Sequence, residues 1–154
     1  MIEINTPNEI EKYYNKDKNG YIFDDDVTIK CDINVGTRNI YAKNIHANNL
    51  TAHDIWCNNM NVCHLEAYNI YSQKIETIGT IKVKNTFSAT VCMCSYLESS
   101  HIRIVKLTCS GVKATKLIAD EVYAEGVFVS DLQIWIKIGA HTIGKKSQAF
   151  FKIH

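Results

Sequence analysis

Six cysteines and six histidines are the side chains of this 154-residue chain best suited to nucleophilic or metal chemistry. Two of them form a close pair, "CMC" at Cys92 to Cys94. Structural zinc sites use a wider C-x(2–4)-C spacing and need a second ligand pair. His46, His53, His64, His101, His141 and His154 include no pair at the spacing of a helical zinc motif. Glu66, Glu76, Glu98, Glu121 and Glu125 could act as acids or bases, but such work needs a pocket that excludes water, and the sequence offers no long loop to build one. Glycine-rich phosphate loops and nucleophile elbows are missing too. The aspartates at 24–26 lack the spacing of a calcium loop and read as a solvated turn. The expectation is a protein that is not an enzyme, with no catalytic residue, no metal ligand and no cofactor.

What positions these side chains is a repeat. In "NIYAKNIHANNLTAHDIW", residues 39–56, an aliphatic residue returns every fifth position at Ile40, Ile45, Leu50 and Ile55. Neither the helical spacings of three and four nor the strand spacing of two explains this. The series continues through Met60, Leu65, Ile70 and Ile75, and resumes in a new phase from Phe87 through Cys92, Leu97, Ile102, Leu107, Val112, Leu117, Val122, Val127 and Leu132. Two one-residue insertions, near Gly79 and near Asn85, restore the register through Ile81. Two positions after each large residue stands a small or modest one, such as Ala42, Ala47, Ala52 and Cys57, and the residue before it is commonly Asn or Asp.

Residues i and i+2 of an extended segment face the same side. Each five-residue unit therefore reads as a short strand with its large and small residues facing in. Asparagine suits the corner because it tolerates left-handed backbone and bonds its own turn. Cys57, Cys92, Cys94 and Cys109 fall on inward positions, where reduced cysteine packs as a small hydrophobe. Cys63 falls outward.

This pattern resembles the pentapeptide-repeat proteins over residues 38–134. The resemblance implies a right-handed, quadrilateral β-solenoid in which every fourth unit stacks, giving laps of about twenty residues and about five coils. The usual motif places its small residue before the central Leu or Phe; here the small residue follows. Some members of that family protect DNA gyrase as acidic mimics of duplex DNA. With seventeen basic against sixteen acidic side chains, this chain does not make an acidic rod, so the role of inhibitor or protector of a nucleic-acid enzyme stands second. Acyltransferases of the left-handed β-helix class need a six-residue repeat, found only at the two insertions.

The expected organisation is an N-terminal cap over 1–26, a solenoid over 27–138, and a C-terminal cap or association segment over 139–154. Within the first, "TPNEIEKYYNKDKNG" reads as a short helix with Thr6 as N-cap, Pro7 in its first turn and a stop at Asn19-Gly20, laying Ile10, Tyr13 and Tyr14 on the first coil. Trp135, Phe150 and Phe151 read first as capping residues of the C-terminal end and second as the candidate self-association residues, because an uncovered apolar solenoid end associates readily. The leading functional expectation is an all-β structural or protein-interaction module with an unidentified protein partner, able to form a homodimer through a solenoid end. Direct nucleic-acid binding is not expected at a net charge of +1. The absence of a signal-like or membrane-spanning segment makes the cytoplasm the expected compartment.

Overall fold

A computed structural model describes the backbone of residues 1–143 and 148–151 and the side chains of residues 1–130. The chain forms stacked coils of parallel β-structure, a β-solenoid. Strands β1 (Ile2–Ile4), β2 (Tyr14–Asn15), β3 (Gly20–Phe23), β4 (Val27–Ile29), β5 (Ile33–Asn34) and β6 (Asn39–Ala42) make its irregular first laps. Two long winding ribbons follow, β7 (Asn44–Glu76) and β8 (Thr80–Ile143), and then β9 (Gln148–Phe151). β1 already pairs with β4, and β3 with β6, so part of the expected N-terminal cap belongs to the sheet.

The lap is shorter than the four-unit coil of the quadrilateral expectation. Ile40 lies beside Ile55 and Tyr41 beside Trp56. Asn44 bonds Asn59, and Asp54 bonds Asn69, each across 15 residues. Three five-residue units therefore close one lap, and the prism has three sides. One inward column runs Val27, Ile45, Met60, Ile75, Cys92, Leu107 and Val122; a second runs Ile33, Leu50, Leu65, Ile81, Leu97, Val112 and Val127. The third holds Ile40, Ile55, Ile70, Phe87, Ile102 and Leu117. All are buried, most of them completely. A strict repeat of five fills inward columns with apolar residues whether three or four units close a lap, so the interior pattern alone does not choose between them.

Both insertions are seen as breaks in the stacking. The first separates β7 from β8 at residues 77–79, and the second shifts the register between Ala67 and Asn69, opposite Lys84 and Asn85. Leu65 then pairs with Ile81, and Ile70 with Phe87. Glycine is required at 79 because a Cβ there would stand 2.1 Å from the Cys63 carbonyl oxygen. The Thr77 hydroxyl donates to that carbonyl at 2.8 Å and accepts from the Gly79 amide at 3.0 Å.

Repeat asparagines do not turn corners through left-handed backbone. Among the described residues Asn19 is the non-glycine residue with positive φ, at 46°, and it lies outside the repeat. The repeat asparagines stack instead. Asn59 donates to Asn44, which donates to Asp26 (2.6 and 2.7 Å). Asn85 donates to Asn69 and Asn69 to Asp54 (3.0 and 2.9 Å), while Asn49 donates to Asp32 at 2.8 Å. Laps only one strand spacing apart bring like amides into bonding reach, which stabilises them better than local turn bonds would.

At the N-terminal end the helix is a single 3-10 segment, Pro7–Tyr13, shorter than expected. The Thr6 side chain makes no capping bond; Glu9 accepts from the Asn5 amide at 2.9 Å in its place. Ile10 is buried and Tyr13 packs 4.9 Å from Phe23, as a cap requires. Tyr14 turns outward and lies under the Arg38 guanidinium at 4.6 Å. Arg38 also donates to Glu11 and to the Tyr21 hydroxyl, and Tyr21 donates to Glu11 at 2.7 Å. At the far end β9 pairs in parallel with residues 131–134 of β8, so the C-terminal segment adds backbone to the stack.

Candidate functional site

The inward positions can be set aside first. Cys57, Cys92 and Cys109 are buried, and Cys94 packs partly buried against the core. Burial pushes the Cys57 thiol up to about 11. Contact with Cys94, then burial, pushes Cys109 up. Cys94 is pulled down by its Cys109 contact but goes up on balance through Cys92 and burial. Thiols held protonated in this way are poor nucleophiles and poor metal ligands. Among the described residues no group of three His, Cys, Asp or Glu side chains is placed to hold a metal ion. Inward hydroxyls are likewise spent: Ser99 donates to the Asn85 carbonyl at 3.1 Å, and Ser72 to that of Asn58 at 3.1 Å.

Outside, the lower laps (39–76) carry stacked rings. Tyr41 and Trp56 lie 4.7 Å apart with planes 1° from parallel, and Trp56 and Tyr71 follow at 5.5 Å and 13°. On the same side of the prism His53 stacks on Tyr68 at 4.9 Å. The strand spacing sets these distances, so Trp56 spends both faces on ring neighbours, and Tyr41, Tyr71, His53 and Tyr68 one face each. The three-unit lap thus brings the lower-lap aromatics together, and His53 is structural company for Tyr68 rather than a lone reactive group. The signal was in the sequence: aromatics at 41, 56 and 71 recur at the three-unit interval.

Above the insertions (80–130) the outer face changes. A shallow groove of about 650 Å³ runs along one face. One wall carries Glu66, Lys82, Glu98, Lys113 and Phe128, and the other carries Lys84, Ser100, Thr115 and Ser130. Lys113 and Glu98, one lap apart, pair at 2.7 Å, and this carboxylate pushes the Lys113 ammonium up. Phe128 is 54% exposed. A Cβ at Gly126 would meet a Phe128 ring carbon at 3.2 Å, and a Cβ at Gly111 would meet the ring of Tyr96, in the neighbouring lap, at 2.9 Å. Glycine at both positions leaves room for an adjacent ring.

The groove residues do not stand out in the sequence as a site, although Glu66 and Glu98 are among its candidate acids or bases. Their shared signal is again the lap interval: 98 with 113, and 100, 115 and 130. Trp135, Phe150 and Phe151 have side chains outside the described residues; the backbone of Phe150 and Phe151 pairs with Gln133 and Ile134. His141 and His154 also lie outside the described side chains. Among the described residues, no helix is long and apolar enough to cross a membrane. Comparison with protein families, curated proteins and solved structures finds no match to this chain.

Proposed function

We propose that this chain is a non-enzymatic β-solenoid, built from a pentapeptide-type unit, that serves as a structural or protein-interaction module. The observation that carries this reading is the lap-to-lap stitching of the lower outer surface. Amide ladders from Asp26, Asp32 and Asp54 and the Tyr41–Trp56–Tyr71 stack tie successive laps together outside as the aliphatic columns do inside. Such cross-strand contacts make a stiff prism, a framework on which surfaces can be displayed. Exposed apolar side chains at Tyr68, Ile78, Met93, Val105 and Phe128 supply contact area.

The same reading includes self-association through the C-terminal end, with Trp135, Phe150 and Phe151 in contact. Size-exclusion chromatography with light scattering should show a dimer that Trp135→Ala weakens, and immobilised protein should retain a partner. A strict monomer that retains no partner would sink this reading.

A further inference from the structure

We propose that the groove over the upper laps binds a neutral oligosaccharide lying along the solenoid axis. Three features of the groove converge on that ligand class, and none depends on the scaffold role.

Its apolar element is a flat one. A pyranose ring has a C–H face and a hydroxyl rim, and it binds by laying the C–H face on an aromatic ring whose own face is free. Phe128 is 54% exposed, packs an edge of its ring against Gly126 and, among the described residues, stacks on no other ring. Trp56, with Tyr41 on one side and Tyr71 on the other, offers no free face.

The polar elements carry both signs. Glu66 and Glu98 would repel a polyphosphate or an acidic peptide, while Lys82, Lys84 and Lys113 would repel a basic one. A polyol meets no such conflict, since its hydroxyls donate to carboxylates and accept from ammonium groups. Lys82 and Lys84 are exposed and, among the described residues, have no ion-pair partner, so their donors are available.

The third feature is periodicity. Ser100, Thr115 and Ser130 place one hydroxyl per lap down the second wall; that of Ser100 donates to the Lys84 carbonyl at 2.8 Å and is left to accept. Laps are spaced by about 4.8 Å, comparable to the length of one sugar unit, so a linear glycan would meet the same wall at each residue. The cavity of about 650 Å³ is of the size that takes a short chain.

The test uses the full chain with cellohexaose, maltohexaose and the hexamer of N-acetylglucosamine as probes, read by saturation-transfer NMR and calorimetry. At least one neutral hexamer should bind, with saturation transfer strongest to its C–H groups. Phe128→Ala removes an exposed ring, should leave the circular dichroism spectrum unchanged, and should weaken binding about tenfold. Thr115→Arg, which fills the groove from the opposite wall, should abolish binding, and Tyr71→Ala should leave it unaltered. Failure of all three hexamers to bind would overturn the proposal. So would equal affinity for wild type and Phe128→Ala, or tighter binding of inorganic polyphosphate than of any neutral hexamer.

Discussion

Below Gly79, the outward Asn44 donates to Asp26 and accepts from Asn59; above it, the same column carries Val91, Lys106 and Glu121, and the last two meet as ions at 3.5 Å. Both regions hold the same buried columns. The lower laps consume most of their outer groups in amide and amide–carboxylate bonds between laps and in ring stacks, with one exposed ion pair, Lys74–Glu76, at 2.7 Å. The upper laps replace these with exposed ion pairs, single hydroxyls and rings set against glycine. Interior and exterior are thus nearly independent in this architecture. The inward residues dictate the winding, while the outward ones are free to be spent on stiffness or kept for contact.

Truncating the shared interior gives the largest effects. Ile55→Ala in the lower laps and Leu97→Ala in the upper are both at fully buried positions, and each should cost about 2–5 kcal/mol in urea denaturation. Similar losses fit one continuous core; a negligible loss at Leu97 would break the comparison at its base. Next in size is Trp56→Ala, which removes two ring contacts and should cost about 1–3 kcal/mol. The upper-lap counterpart, Lys113→Ala, breaks an exposed, solvent-screened pair and should cost clearly less than Trp56→Ala. A larger loss from Lys113→Ala than from Trp56→Ala would invert the contrast between ring stacking and exposed ion pairing.

Smaller still is a pH effect confined to the N-terminal cap. The Tyr21 hydroxyl, then the Arg38 guanidinium, hold the Glu11 carboxyl below its ordinary value. A depressed carboxylate contributes stability that is present above its unfolded value and is lost as pH falls through the folded one. Acid titration of wild type against Glu11→Gln should therefore converge below the usual glutamate range and diverge above it. Identical curves across that window would remove the Glu11 contribution.

The sequence displayed the solenoid because inward residues must be apolar, and a period of five with a small residue two positions on survives any error about lap length. Ile40 through Val127 were legible in this way, as were the insertions at Gly79 and Asn85. The lap was not legible from the interior, since columns of Ile, Leu and Val look alike whichever way they stack. It was written outside, in Tyr41, Trp56 and Tyr71, in Lys113 and Glu98, and in the glycines at 111 and 126. Asparagine misled for a related reason: its local turn-making tendency is real, but an identical side chain one lap away offers a better partner. The groove stayed hidden because serine, threonine and lysine at outward positions acquire meaning only once their alignment is known.

The three-unit lap is the claim on which the columns, ladders and groove all depend, and a pair of double-mutant cycles tests it directly. Asn59 bonds Asn44 in this lap, whereas a four-unit lap would set it beside Asn39. Alanine substitutions at Asn44 and Asn59 should couple by about 0.5–1.5 kcal/mol in urea denaturation, with no measurable coupling between Asn39 and Asn59. Coupling between Asn39 and Asn59 with none between Asn44 and Asn59 would contradict it.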